Sequence, residues 1–331
     1  MNIAILDDTY GVVSGLPSVT RLAGHKVTIW QDHTKDIDTL AMRLAEADVL
    51  MLIRERTPIS GELIQRLPKL KLITLNGVTP HIDLDACTRH GIAVTTKSYV
   101  SKATAELTWA LILMSMRRLP REMASLKRGN WQSSGTGDGL HGKTLGIWGY
   151  GQIGKQVAGF GKAFGMNVLV WSRESGMAKA CADGWTTTTN KRDLFEKSDV
   201  LSLHVRLASD TENCVTYNDL SAMKPSSLLV NTSRAQLIEP GALVRALLDG
   251  RPGAAAVDVF EDEPMRDTTH PLLHMDNVIC TPHLGYVERQ QYDDMYGDQI
   301  DRMNAFFAGK PEHIANPTVI PSCSFTTQES S

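Results

Sequence analysis

Three segments in the second half of the chain place side chains that could bind an anion and move a proton directly after apolar, strand-like runs. Arg234 follows the run 229–233, Glu263 follows the run 256–260, and His283 lies in the segment 279–285. Ligands of an open parallel sheet bind just outside the carboxyl ends of its strands. A planar guanidinium suits a carboxylate ligand, and an imidazole that titrates near neutrality suits proton transfer. The pattern therefore predicts one site with an anion-binding fork, an acid and a titratable ring.

Each of these residues also has an ordinary structural interpretation. Arg234 could form a surface ion pair, Glu263 could be a turn residue before proline, and His283 could be a loop histidine with satisfied hydrogen bonds. Because all three follow successive strands beside a glycine-rich motif, their combination favours a catalytic function.

That motif is a G-x-G-x-x-G run near the middle of the chain, formed by Gly149, Gly151 and Gly154. An apolar run precedes it, a helix-like segment covers 155–164, and a second apolar run covers 166–171. Glycines at these positions allow a tight turn and let a pyrophosphate approach the N-terminus of the helix. The complete β-α-β pattern predicts a dinucleotide site.

Strand-like and helix-like segments alternate along almost the whole chain, which predicts parallel sheets with crossover helices. A long helix is expected over 102–118, ended by Pro120, and the Gly-rich segment 128–139 is expected to be a loop. We weigh three uses for this loop: a hinge, a lid, or an arm that reaches a second subunit. The other expected strands are 3–6, 26–30, 49–53, 70–75, 92–94, 200–204, 227–231, 254–258 and 278–280, and the other expected helices are 36–47, 60–67, 83–90 and 291–308.

Composition narrows the class of protein. The chain has 331 residues, enough for two domains, with 42% hydrophobic and 21% charged residues. A formal charge of -3 gives no reason to expect a nucleic-acid or membrane partner, and five scattered cysteines predict reduced thiols and no metal site. The N-terminus begins directly with a strand-like pattern, so no signal peptide is expected. We expect a cytoplasmic protein, with no regulatory domain after Gly309 and a mobile tail at 321–331.

The motifs also carry a resemblance. Over residues 1–318 the chain resembles the D-isomer-specific 2-hydroxyacid dehydrogenase family, and the matching segments are 81–85, 105–107, 141–147 with the glycine run, 231–234, 258–260 with 263–264, and 281–285. The resemblance implies an α/β fold of two doubly wound parallel-sheet domains. A Rossmann coenzyme domain, 103–291, is inserted in a flavodoxin-like substrate domain made of 1–102 and 292–331. It also implies a homodimer with contacts from the arm 120–145.

By the same resemblance, Arg234, Glu263 and His283 take the catalytic positions for reduction of a 2-oxo acid by a nicotinamide coenzyme. His283 would donate the proton to the carbonyl oxygen, and Glu263 would orient the ring and favour its protonated form. Arg234 would bind the substrate carboxylate and polarise the carbonyl.

The first domain is expected to supply substrate contacts from two loops. The backbone amides of Gly77 and Val78 would bind the carboxylate, as the resemblance implies. Arg54 would reach a further anionic or hydroxyl group of the substrate, with an exposed ion pair as the alternative.

The coenzyme site contains one informative departure from the family pattern. Members that use NAD usually carry an acid 18 residues after the last glycine, where this chain has Ser172, followed by Arg173 and Glu174. A hydroxyl and an arginine suit the 2′-phosphate of NADP, so we favour NADP over NAD; alternatively, Arg173 stacks on adenine or faces solvent. The coenzyme residues that the resemblance assigns are Gly149, Gly151, Gln152, Ile153, Gly154, Ser172, Arg173, His204, Val205, Thr211, Thr232, Ser233, Asp258 and Thr104. A second departure is Arg206, where the family usually has a proline; this arginine either assists a phosphate or is a surface substitution.

Several functions remain open at this point. The motifs match phosphoglycerate dehydrogenases and glyoxylate/hydroxypyruvate reductases alike, so the 2-hydroxy acid is not determined. A corepressor-like interaction protein that senses NAD(H) could keep the same fold, although no basic patch supports it. A different Rossmann enzyme, such as an amino-acid or formate dehydrogenase, is a third candidate. Formate chemistry needs no proton donor, so Glu263 with His283 favours a carbonyl substrate.

Overall fold

The computed structural model describes residues 1–97 and 102–319; the predicted mobile tail 321–331 lies outside the described residues. The described part of the chain contains twelve strands: β1 (Asn2–Ile5), β2 (Lys26–Ile29), β3 (Val49–Met51), β4 (Leu72–Asn76), β5 (Ala93–Lys97), β6 (Thr144–Trp148), β7 (Asn167–Trp171), β8 (Thr186–Thr187), β9 (Val200–Leu203), β10 (Leu228–Asn231), β11 (Ala254–Val257) and β12 (Val278–Cys280).

The same residues contain eleven α-helices: α1 (Ile37–Leu44), α2 (Gly61–Gln65), α3 (Leu84–Arg89), α4 (Lys102–Met116), α5 (Leu119–Lys127), α6 (Gln152–Ala163), α7 (Glu174–Ala182), α8 (Lys191–Lys197), α9 (Tyr217–Ser221), α10 (Ala242–Leu248) and α11 (Arg289–Phe307). The first three helices begin at polar N-caps. The side chains of Asp36, Ser60 and Asp83 each accept a hydrogen bond from a backbone N–H three residues later.

The strands form two parallel sheets. The five-stranded sheet has the order β2-β1-β3-β4-β5, and the seven-stranded sheet has the order β12-β11-β10-β9-β6-β7-β8. In both sheets the strand order reverses beside the first strand, which is the doubly wound arrangement that places ligand sites at the carboxyl ends. The predicted fold class of two doubly wound parallel sheets is confirmed.

Each sheet belongs to its own compact unit. Unit 1 holds the described residues of Met1–Tyr99 and Arg289–Ser331, and unit 2 holds those of Val100–Glu288. The central strands β3 and β4 of unit 1 are completely buried, the edge strand β2 is partly exposed, and helices α1 to α3 pack on one face of the sheet. In unit 2, two apolar clusters cover the two faces of the longer sheet. Unit 2 is therefore an insertion in the chain of unit 1.

The helix after the first sheet ends for a different reason from the one that the sequence indicated. The prediction that Pro120 ends it was wrong. Helix α4 ends at Met116, Arg118 adopts a left-handed conformation with φ +54°, and Pro120 lies in the first turn of α5. Proline is tolerated in a first turn because the backbone N–H groups there have no partner within the helix.

The Gly-rich loop 128–139 is tied to the helices that precede it. Arg118 donates a hydrogen bond to the carbonyl oxygen of Ser134, and the Ser134 N–H donates to the Glu122 carboxylate. Further along, the Asp138 N–H donates to the carbonyl oxygen of Met116 at 2.7 Å. Helix α5 beside it exposes Leu119, Met123 and Leu126. The homodimer expected from the resemblance stays a prediction.

Candidate active site

The glycine run lies between the end of β6 and the start of α6, at the reversal point of the longer sheet. Gly149 has φ +97°, and a Cβ atom there would lie 2.6 Å from the carbonyl oxygen of His204. A Cβ on Gly154 would lie 2.2 Å from the Gly149 oxygen. By contrast, no heavy atom lies within 4 Å of a Cβ built on Gly151, the N-cap of α6. The first and third glycines therefore allow close packing, and the second leaves the helix N-terminus open to a phosphate.

The end of β7 holds the residues that the sequence linked to the choice of coenzyme. The Ser172 hydroxyl accepts a hydrogen bond from the Tyr150 N–H at 3.2 Å, which joins it to the glycine run. Arg173 is the exposed N-cap residue of α7, and Glu174 is the first residue of that helix. After this strand, a hydroxyl and a guanidinium therefore come before the Glu174 carboxylate in the sequence.

Sequence reasoning missed how the glycine run is anchored. The Tyr150 hydroxyl donates to the Asp183 carboxylate at 2.7 Å and accepts from the Trp185 indole at 2.5 Å. Lys155 pairs with the same carboxylate at 2.9 Å. Burial, followed by the hydrogen bond to Asp183, raises the pKa of Tyr150 to about 12, so the phenol keeps its proton. The position of a tyrosine inside the glycine run was the available signal.

His204 follows β9, next to the glycine run. Its Nε2 lies 2.9 Å from the Ser202 hydroxyl, and burial lowers the pKa of His204 to about 3. The ring is therefore neutral at physiological pH. Val205 is half-buried beside it, and the Thr211 hydroxyl closes the following turn by donating to the Arg206 carbonyl oxygen at 2.7 Å.

The turn after β10 is held by an asparagine side chain. Asn231 Oδ1 accepts from the Ser233 N–H at 3.0 Å, and its Nδ2 donates to the Arg234 carbonyl oxygen at 2.8 Å. The Ser233 hydroxyl donates to the carbonyl oxygen of Leu203 at 2.8 Å, and the Thr232 hydroxyl lies 2.7 Å from that of Thr108. Arg234, which is half-buried, leaves the turn in an extended conformation. These bonds fix the backbone from which its guanidinium extends.

Asp258 holds the loop that carries His283. Its Oδ1 accepts from the Thr281 hydroxyl at 2.6 Å and the Leu284 N–H at 2.8 Å, and its Oδ2 accepts from the Gly285 N–H at 2.8 Å. Asp258 is 1% exposed, and burial raises the pKa of its carboxyl group despite these hydrogen bonds. Asp258, predicted for the coenzyme site, therefore holds the loop on both sides of the histidine, through the Thr281 hydroxyl before it and two backbone N–H groups after it.

The same loop is closed from α4 and adopts an unusual backbone conformation. The Thr104 hydroxyl donates to the Gly285 carbonyl oxygen at 2.7 Å. His283 has φ +53°, in the left-handed region that few residues other than glycine adopt. Such strain persists where surrounding contacts determine the conformation, and it is frequent at functional sites.

Glu263 and His283 meet in the structure. His283 Nδ1 lies 2.5 Å from Glu263 Oε2, and Glu263 Oε1 accepts from the Phe260 N–H at 3.0 Å. Burial alone would raise the pKa of Glu263. The hydrogen bond and charge of His283, the Phe260 N–H and the charge of Arg234 together hold that pKa below its usual value. The pair is therefore a charged carboxylate bonded to an imidazole, with a guanidinium near enough to influence the carboxylate.

Unit 1 places its predicted substrate residues after β3 and β4. Arg54 has φ +58°, and its Nη1 lies 3.8 Å from the position of a Cβ built on Gly77. Gly77 has φ +120°, and its N–H donates to the Lys97 carbonyl oxygen at 3.0 Å. The Gly77 N–H is therefore already hydrogen-bonded within unit 1. The next backbone N–H along the loop belongs to Val78. Arg54 and Gly77 do lie beside each other, as adjacent strand ends require.

Two comparisons identify the family of this chain. A family model described as D-isomer specific 2-hydroxyacid dehydrogenase, NAD binding domain, matches residues 109–285. A glyoxylate reductase of Aeropyrum pernix is 36% identical over 309 residues, which cover 89% of this chain and 91% of that protein. The chain belongs to the D-isomer-specific 2-hydroxyacid dehydrogenase family. The resemblance inferred from its motifs is confirmed.

Solved structures agree with membership of this family. An oxidoreductase of Ralstonia solanacearum shares 46% sequence identity with a TM-score of 0.93, covering 97% of this chain and 98% of that one. A phosphoglycerate oxidoreductase of Vibrio cholerae shares 46% identity with a TM-score of 0.89, covering 93% of this chain and 99% of that one. The chain is therefore an oxidoreductase of a family that acts on CH–OH groups and uses a nicotinamide coenzyme.

The glycine run fits such a coenzyme, because the open N-terminus of α6 at Gly151 has room for a pyrophosphate. Gln152 and Ile153 form the first turn of that helix. No group of histidine, cysteine or acidic side chains able to hold a metal ion occurs in residues 1–97 and 102–319. In those residues no helix is both long and apolar enough to cross a bilayer.

Proposed function

We propose that this chain reduces a small 2-oxo acid to the D-2-hydroxy acid, with His283 as the proton donor. The contact of 2.5 Å between His283 Nδ1 and Glu263 Oε2 supports this proposal most directly. The bound coenzyme supplies the hydride. Because Glu263 engages Nδ1, Nε2 is the ring nitrogen that would protonate the carbonyl oxygen. The charged carboxylate orients the ring and stabilises its protonated form.

Arg234 is the proposed partner of the substrate carboxylate. Its backbone is fixed by Asn231 on both sides of the turn, and its guanidinium offers two parallel donors to a carboxylate. A guanidinium in this position also polarises the carbonyl group as negative charge develops on its oxygen. From unit 1 we assign the Val78 amide to the substrate carboxylate and Arg54 to a further anionic or hydroxyl group.

Steady-state assays test the proposed reaction. We expect turnover with at least one of glyoxylate, hydroxypyruvate, pyruvate and phosphohydroxypyruvate, measured by coenzyme absorbance with NADH and with NADPH. The relatives named glyoxylate reductase and phosphoglycerate oxidoreductase motivate this set of substrates. Coenzyme binding without turnover of any 2-oxo acid would contradict the proposal and would favour a protein that senses NAD(H).

We further propose that the coenzyme is NADPH in preference to NADH. The strand end after β7 offers the Ser172 hydroxyl and the exposed Arg173 where an acid would repel a 2′-phosphate. One charge-assisted contact predicts a kcat/KM about tenfold higher for NADPH. Ser172→Asp should reverse this ratio, whereas Ser175→Asp, the same charge three residues later, should leave it largely unchanged. A clear preference of the unmutated protein for NADH would contradict this assignment.

A further inference from the structure

A buried arginine in unit 1 contacts the ends of two neighbouring strands. Arg302 lies on α11 and is 2% exposed. Its Nη2 donates to the Leu75 carbonyl oxygen at 2.6 Å and to the Thr74 hydroxyl and Asn76 Oδ1 at 3.3 Å. Its Nε donates to the Thr95 hydroxyl at 3.4 Å. The guanidinium thus joins the last residues of β4 to β5.

Asp298, one helical turn earlier, completes this network. Its carboxylate accepts from Arg302, from Asn76 Nδ2 at 2.9 Å and from Lys97 Nζ at 2.8 Å. Burial would raise the pKa of Asp298, but these partners, led by the Lys97 hydrogen bond and the charge of Arg302, lower it. The carboxylate is therefore charged at neutral pH. Both ends of the Asn76 side-chain amide are held by α11, one by each member of the ion pair.

The residues held in this way lead directly into the loop assigned to the substrate carboxylate. Gly77 follows Asn76, donates its N–H to the Lys97 oxygen at 3.0 Å and accepts from the Thr96 hydroxyl at 2.6 Å. The next residue is Val78. Only Gly77 separates Asn76 from Val78 along the backbone. A shift of Asn76 would therefore move the Val78 amide that we assign to the substrate.

A contribution to stability does not by itself explain a buried arginine at this position. A buried ion pair loses much of its Coulomb energy to desolvation, and well-packed apolar side chains often stabilise a fold equally well. Here the hydrogen bonds of Arg302 converge on polar groups at one strand end, where apolar side chains could not hold the loop. A second contact also holds a strand end from α11. Gln299 donates to the Leu52 carbonyl oxygen at 3.3 Å, just before the Arg54 loop.

We infer that Arg302, with Asp298, is a positioning residue for the substrate loop 76–78. This inference rests on the proposed reduction of a 2-oxo acid and adds to it a residue that touches neither substrate nor coenzyme. The ion pair holds Asn76 and thereby the backbone that leads to the Val78 amide, which we assign to the acid carboxylate. Removing the guanidinium should therefore raise the KM for the 2-oxo acid and leave coenzyme binding, which belongs to unit 2, unaffected.

The test compares Arg302→Met with the double variant Asp298→Asn/Arg302→Met. Arg302→Met removes the buried member of the ion pair and leaves the half-buried Asp298 carboxylate to Lys97, which should lower Tm. The double variant should recover part of that loss, because it also removes the charge of Asp298. We expect the KM for the best 2-oxo acid to be about 10- to 100-fold higher in both variants, because neither restores the contacts to Leu75 and Asn76. Arg302→Lys should lie between Arg302→Met and the unmutated protein. KM for the coenzyme should stay unchanged in all three.

Leu44→Ala is the matched control for destabilisation, since Leu44 is buried in α1 and lies in the apolar core of unit 1. A purely structural role of Arg302 predicts that KM follows Tm: it would rise in Leu44→Ala and recover in the double variant. Either result overturns the positioning role, as would an unchanged KM in Arg302→Met. Absence of turnover in the unmutated protein overturns the proposed function as well. Turnover with unmoved KM values overturns the positioning role alone.

Discussion

Replacing His283 with alanine is expected to lower kcat for 2-oxo acid reduction by about 10²- to 10⁴-fold, the usual contribution of a positioned general acid. The variant removes the ring whose Nδ1 bonds to Glu263 and leaves the loop bonds to Asp258 in place. Because those bonds involve Thr281, Leu284 and Gly285, the backbone of the loop should persist. The loss should therefore appear in kcat more than in the KM for the coenzyme.

His270→Ala is the matched control for this variant. His270 is a second histidine of unit 2 beside a glutamate, with its Nε2 3.9 Å from Glu261 Oε2. It is not among the residues assigned to the site, so its removal should leave kcat close to that of the unmutated protein. Coenzyme fluorescence titration of both variants separates chemistry from binding. A near-normal kcat in His283→Ala would remove His283 from the proposed mechanism.

The sequence predicts most of the fold because both sheets are parallel and their central strands are buried on both faces. Parallel buried strands appear as short apolar runs, and the Gly149–Gly154 spacing marks the start of the second sheet. The boundary that failed was at Pro120, where the sequence cannot tell a proline that ends one helix from a proline in the first turn of the next. The left-handed Arg118 between α4 and α5 has no distinct sequence signal.

The sequence predicted those residues of the candidate site that directly follow strands, because the parallel sheet brings strand ends together. Glu263 and His283 follow different strands, and the parallel order of β11 and β12 brings them together. The role of Asp258 in holding the His283 loop depends on backbone N–H directions, which residue types do not specify. Likewise, Arg302 belongs to a helix 226 residues from Asn76 in sequence. Its signal was a charged residue at an inward position of α11, beside the buried Gln299 and Met303.

Replacing Glu263 with glutamine is expected to change the pH dependence of the reaction as well as its rate. In the folded protein the pKa of Glu263 lies below its usual value of 4.5. The charged carboxylate, and the stability it contributes, is therefore present above pH 4.5 and is lost as the pH falls through the lowered pKa. The amide carries no charge at any pH, so Glu263→Gln should lose the acid-side dependence due to this group.

On the alkaline side, the variant should lose activity at lower pH than the unmutated protein. Glu263→Gln removes a negative charge at hydrogen-bond distance from Nδ1 of His283, so the alkaline fall of kcat/KM should move to lower pH. Glu261→Gln, which neutralises an exposed glutamate two residues earlier, is the matched control and should leave the profile in place. A lower kcat with an unmoved pH profile would mean that Glu263 only supports the loop. A shifted profile would show that its charge acts on the proton that His283 donates.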